Sequence, residues 1–130
     1  MDFYLDENLP KRVAKALNEL EGENAIHKVF STELVWGKGV KDKELFHLLH
    51  KVNGILITND ARITTRKSEF ALVKELKLSV FVISFRKGSA YWEKALRIIN
   101  TWNLVKTHIE KHTPNPIVVR IIHTDTCLFL

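Results

Sequence analysis

Hydrophobic and polar positions change period several times along this chain, and each change predicts a new element. Asp2-Phe3-Tyr4-Leu5 is a short apolar run that predicts a strand leading into the polar Asp6-Glu7-Asn8. Leu9-Pro10 then opens a helix, since a first-turn proline loses no hydrogen bond. Val13, Ala14, Leu17 and Leu20 recur at helical spacing as its inner face, opposite Lys11, Arg12, Lys15 and Glu19, and Gly22 supplies the stop. Ala25 to Phe30 alternates as a second strand, and Trp36-Gly37-Lys38-Gly39-Val40-Lys41 reads as a basic loop punctuated by glycine.

Leu45, Leu48, Leu49 and Val52 lie at i, i+3, i+4 and i+7, so residues 43–52 are expected to form an amphipathic helix. Asp42 stands at its N-cap and Asn53-Gly54 end it. The continuously apolar Ile55-Leu56-Ile57, leading into Thr58-Asn59-Asp60, suits a central strand buried on both faces. Further on come a helix over about 68–77 and a β-rich run from Val80 to Ser84. A helix then starts near Ser89, with Trp92, Ala95, Leu96, Ile99 and Trp102 as its inner face. Ile117 to Ile122 and Cys127 to Leu130 flank a polar turn at Thr124-Asp125-Thr126, which predicts a terminal hairpin. The alternation predicts an α/β fold: a three-layer α/β/α sandwich with a mainly parallel central sheet and a C-terminal hairpin. At 130 residues without repeats, low-complexity stretches or linkers, the expectation is one domain over residues 1–130.

Composition narrows the setting. Cys127 is the sole cysteine, which excludes an intramolecular disulfide and a Cys-rich zinc site and makes a reducing cytoplasm the expected location. The N-terminal residues carry no basic segment followed by an apolar run, and no uncharged stretch is long enough for a membrane span, so a soluble, unprocessed protein without membrane contact is expected. Net charge is +5, unevenly spread. Through Asp60 there are 8 Lys/Arg against 10 Asp/Glu, and beyond it 12 against 5. An acidic pocket beside a basic platform for a polyanion fits this asymmetry, as does an ordinary solvated basic face.

In a parallel sheet, sites form beyond the carboxyl ends of the strands, where the strand order reverses. Asp6 ends the first strand and Asp60 the central one, and Asp42 joins them if its helix starts at that edge. Carboxylates gathered so closely repel one another and normally hold a cation. Oxygen ligands without Cys or paired His favour Mg2+ or Mn2+ over zinc, and such an ion keeps waters suited to phosphodiester hydrolysis.

The runs Phe3-Tyr4-Leu5-Asp6-Glu7-Asn8-Leu9-Pro10, Lys41-Asp42-Lys43-Glu44-Leu45 and Ile57-Thr58-Asn59-Asp60 together resemble the small PIN-like proteins related to VapC-type toxins. The motifs span the chain up to about Thr65. The resemblance implies a PIN-like fold and a ribonuclease dependent on Mg2+ or Mn2+, with RNA as substrate, a small antitoxin encoded beside it as partner, and a homodimer. Carried over by position, Asp6 is the first-strand metal ligand, Asp42 the helix-start acid and Asp60 the acid of the Thr-x-Asp motif. The sequence departs from the pattern at Arg62, where such proteins commonly carry another acid. Glu7, Asn8, Glu44 and Thr58 are auxiliary candidates, although Glu44, two positions beyond Asp42 on a helix, points to a different face.

Each candidate also has a plainer reading. Asn8 and Asp42 suit helix caps and Asp60 suits a turn. Lys38, Lys41, Arg62, Arg66 and Lys67 are candidates for substrate phosphate, or members of a solvated face. Thr64, Thr65 and Ser68 suit caps and turns as well as phosphate contacts. Of the six histidines, His108 and His112 are spaced i, i+4 but lack the order of a metalloprotease motif, and His47 and His50 read as surface residues. Trp36 could stack on a base, whereas Trp92 and Trp102 are expected in the core. Two further functions stay open: a degenerate module of the same fold that binds RNA or a protein without cutting, supported by Arg62, and a phosphatase using Asp6 as nucleophile, disfavoured by Asn8 two residues on.

Overall fold

The computed structural model describes residues 1–122 and 126–130. Its strands are β1 (Asp2–Leu5), β2 (Lys28–Ser31), β3 (Ile55–Thr58), β4 (Val80–Ile83), β5 (Val118–Ile121) and β6 (Cys127–Phe129). All six enter one sheet in the order β2-β1-β3-β4-β5-β6, parallel throughout except for the antiparallel β5–β6 pair. The helices are α1 (Arg12–Glu21), α2 (Thr32–Trp36), α3 (Asp42–Val52), α4 (Arg62–Thr65), α5 (Lys67–Glu75) and α6 (Tyr91–His112).

Alternation along each strand divides the apolar side chains between two layers. Phe3, Leu5, Ile55, Ile57, Phe81, Ile83, Val119 and Ile121 pack against α1 and α6. Tyr4, Leu56, Val80, Val82 and Val118 face the other way, against α3, α4 and α5. This is the three-layer α/β sandwich expected from the pattern, and β3 is fully buried on both faces. Truncating Leu56 or Ile57 to alanine there should cost about 2–5 kcal/mol. Gly54 makes the entry to β3 possible: a Cβ on it would stand 2.6 Å from the Tyr4 ring. Asn53, at φ 54°, turns the chain out of α3 just before it.

Several boundaries and faces differ from the sequence expectation, for physical reasons. α1 begins at Arg12, two residues after Pro10, whose carbonyl accepts the Val13 N–H at 3.1 Å. Gly22 does end it, at φ 94°, but Leu20 is 74% exposed because only Val13, Ala14 and Leu17 turn towards the sheet. β2 starts at Lys28, not Ala25, since His27 is drawn inwards to Glu110 while Ile26 faces solvent. The short α2 precedes the expected loop and takes only its first residue, Trp36, which stacks on Tyr4 with ring centres 4.9 Å apart.

The largest shift is in α6. Its buried face runs through Ala95, Ile98, Thr101, Trp102, Val105 and Ile109. Trp92 and Leu96 are 76% and 53% exposed, so Trp92 is not a core residue, while Ile99 packs at the core's margin. The terminal hairpin is present as β5–β6, and the expected turn residues Thr124 and Asp125, like His123, lie outside the described residues. No helix among the described residues is long and apolar enough to cross a membrane.

Candidate metal and nucleic-acid site

From β1 the chain moves to β2 on one side and then returns past β1 to β3 on the other, so the order reverses between β1 and β3. Asp6 and the Thr58-Asn59-Asp60 segment leave the carboxyl ends of those two strands, at the crevice where parallel sheets place their sites. Each crossover helix in such a sheet also starts at that edge. α3 therefore presents Asp42 there, and α5, in the same layer, presents Glu69.

Asp6 is held from two directions. The Glu7 N–H donates to its Oδ1 at 2.8 Å and the Thr58 hydroxyl to its Oδ2 at 2.8 Å. Burial nevertheless pushes its pKa above the ordinary aspartate value, against the lowering by those two bonds, and the charges of Asp42 and Glu7 add to the rise. Thr58, fully buried, also accepts the Asp60 N–H at 3.1 Å. One hydroxyl thus ties the two strand-end acids into a common frame.

Asp42 occupies the first turn of α3 instead of its N-cap, a position taken by Lys41, and it makes no capping bond. Its pKa is raised, first by burial and then by the charges of Glu69 and Asp60, with Arg66 and Arg62 pulling it down. Asp42 is therefore the point where the acids meet electrostatically. Asp60 differs. Arg62 donates from Nε to its Oδ1 at 2.9 Å and from Nη2 to its Oδ2 at 3.2 Å, and the Arg62 backbone N–H adds a bond at 3.0 Å. These contacts hold the Asp60 carboxyl below its ordinary value.

Glu69 was not singled out by the sequence reading. Its Oε1 lies 3.2 Å from Arg66 Nη1, while its Oε2 is buried with no hydrogen-bond partner among the described residues. An orphaned buried carboxylate oxygen is costly unless something else satisfies it. The available signal was positional: an acid in the first turn of the helix that follows β3 must arrive at the same edge as Asp42.

The auxiliary candidates separate by their contacts. Glu7 Oε2 accepts the Gly39 N–H at 2.9 Å and so ties down the glycine loop ahead of α3. Asn8 and Glu44 are exposed, and Asn8 does not cap α1, which has no side-chain cap. Among the bases, Arg62 and Arg66 are turned onto Asp60 and Glu69, and Lys38 lies 3.4 Å from Glu33. Lys41 and Lys67 are exposed. Thr64 and Thr65 bond back to the carbonyls of Ala61 and Arg62, as turn residues do.

Among the described residues, no group of three or more His, Cys, Asp or Glu stands close enough to hold a metal ion between them. The donors at the crevice suit a hard divalent cation all the same: they are all carboxylates, two have raised pKa values, and one oxygen of Glu69 is unpaired among the described residues. Magnesium needs few protein carboxylates because it retains most of its waters. A mainly parallel sheet with acids beyond the carboxyl ends of its strands, at the switch point, places the molecule among the open α/β folds. Residues 1–85 match the family model described as PIN like domain, which is well over half of the chain, and the chain belongs to the PIN-like domain family. No curated protein and no solved structure gives a match.

Proposed function

We propose that this protein is an endoribonuclease dependent on Mg2+ or Mn2+, acting as the toxin of a toxin–antitoxin pair in the cytoplasm. The observation that carries the reading is the group of like charges around Asp42, where Asp6 and Asp42 are both destabilised as anions and Glu69 Oε2 has no hydrogen-bond partner among the described residues. Asp6 and Asp42 would hold the cation, with Glu69 facing the same charge and Asp60 joining when Arg62 is drawn off by substrate phosphate. Bound there, the cation supplies charge neutralisation for the developing phosphorane and a more acidic water. Thr58 keeps Asp6 oriented, and Arg62 and Arg66 are the bases nearest the acids for phosphate. The β6 edge strand, with Leu128 and Phe129 44% and 52% exposed, supports an antitoxin or a second copy of the chain as partner.

Cleavage of a mixed-sequence single-stranded RNA tests this reading. Wild type should cut with added manganese and stop with chelator, and an Asp6→Asn, Asp42→Asn variant should bind RNA without cutting it. A second reading, a module that binds without cleaving, draws on the Arg62–Asp60 pair, which occupies the third acid. Equal behaviour of the two proteins with intact RNA would favour it.

A further inference from the structure

Beyond Phe85 the chain leaves the segment matched by the family, and there the carboxyl edge of the sheet changes character. One cavity of about 340 Å³ lies between the Glu7-Asn8 turn, Tyr91 and Lys94. A second, of about 290 Å³, lies between Asn59, Arg86, Ser89 and Lys94. A third, of about 340 Å³, continues from Phe85, Arg86 and Ser89 to Leu96 and Asn100. Lys94 is shared by the first two, and Arg86 by the last two, so the three join into one groove. It passes directly beside the residues that flank Asp6 and Asp60.

Three acids also line the groove, and each is engaged: Glu7 accepts the Gly39 N–H, Glu33 pairs with Lys11 and Lys38, and Glu93 accepts the Ala90 N–H. Arg86 and Lys94 are committed to no ion pair among the described residues, unlike Arg62, Arg66 and Lys38 near the acids. Tyr91 is 49% exposed on the wall of the groove, and no ring among the described residues stacks on it. Cations spaced along a channel with an exposed aromatic match a single strand, whose phosphates and unstacked bases are both accessible. A duplex hides its base faces and leaves Tyr91 unused.

We propose that this groove, formed by the β4–α6 loop and the first turns of α6, carries single-stranded RNA past the acids, with Arg86 and Lys94 on phosphates and Tyr91 stacked on a base. The proposal rests on the nuclease reading for the direction of travel but assigns binding to residues that the acids do not include.

Binding of a fluorescently labelled single-stranded oligoribonucleotide, measured by anisotropy in chelator so that nothing is cut, tests it. Replacing Arg86 and Lys94 together by glutamine should lower the slope of log affinity against log salt by about 1.4, near 0.7 for each lost phosphate contact. Tyr91→Ala should weaken binding by about 5- to 150-fold with the salt slope unchanged. Lys51→Glu, in the last turn of α3 at the far edge of the sheet, serves as the charge control, and unchanged melting temperatures confirm folding. Loss in the groove variants no greater than in that control overturns the proposal. Metal-dependent cleavage by wild type together with unaffected groove variants removes the groove alone. Absence of cleavage with RNA binding still dependent on Arg86, Lys94 and Tyr91 removes the nuclease reading and keeps the groove.

Discussion

Acids at two places in this molecule have opposite surroundings. On the α1–α6 side, Glu21 accepts a hydrogen bond from Trp102 Nε1 at 2.7 Å and pairs with Lys106, and these contacts, Lys106 first, lower its pKa. Nearby, His27 meets Glu110 at 2.7 Å. At the crevice between β1 and β3, Asp6 and Asp42 are raised instead, by burial first and then by neighbouring carboxylates, Asp42 and Glu7 for Asp6 and Glu69 and Asp60 for Asp42. The first arrangement joins two helices across the sequence. The second costs stability in the folded protein, which is how a site prepared for a cation differs from a structural ion pair.

The strongest way to break the comparison is Asp6→Asn. It should reduce metal-dependent RNA cleavage by more than about 100-fold, with no loss of melting temperature, because asparagine can still accept the Glu7 N–H. A large drop in melting temperature would place Asp6 with Glu21 as a structural acid. Glu21→Ala should do the reverse: it leaves the buried Trp102 N–H unpaired and should cost about 1–2 kcal/mol in chemical denaturation, with cleavage per folded molecule unchanged.

Arg62→Ala sharpens the contrast within the crevice. It frees both oxygens of Asp60, and manganese affinity, read by calorimetry, should rise a few-fold, in line with the modest strength of an exposed ion pair. Unchanged affinity would exclude Asp60 from the cation's ligands.

The smallest effect concerns pH. Because the folded-state pKa values of Asp6 and Asp42 are raised, protonation favours the fold. Their stabilising contribution is complete below the ordinary aspartate value of 3.8 and is lost as pH rises through the folded values. Asp42→Asn should therefore raise the melting temperature at pH 7, and the gain should vanish below pH 3.8. Asp60, whose pKa is lowered, acts in the opposite sense: it stabilises above the ordinary value and loses that contribution as pH falls through its folded one. A melting temperature that falls in Asp42→Asn at neutral pH would mean that Asp42 is paired, not repelled.

Local pattern was enough to read the frame of the molecule. The apolar runs Phe3-Tyr4-Leu5, Ile55-Leu56-Ile57 and Val80 to Ile83 are each long enough for a strand and too short for a helix, and the structure uses all of them as parallel strands of one sheet. Because those strands run parallel, Asp6 and Asp60 had to leave at the same edge, and the motifs around them were sufficient to name the family. Helix faces were less legible. In α6, apolar residues at 92, 95, 96, 98, 99, 102, 105 and 109 admit more than one inward stripe, and the choice was made by the sheet: Phe3 sets its ring edge against Trp102 at 4.9 Å, leaving Trp92 beyond the core.

What tertiary structure alone decided is who neutralises whom. Glu21 and Lys106 are 85 residues apart, and no periodicity links them. Glu69 resembles any first-turn acid until α5 packs beside α3 and brings it to Asp42. In the sequence Arg62 only stands where an acid is expected, and its commitment to Asp60 depends on the turn that brings the guanidinium back on to the carboxylate. Secondary structure follows from short-range hydrophobic spacing, which a sequence displays directly. The charge state of a site follows from burial and from distances between residues far apart in the chain, and those exist only once the layers have packed.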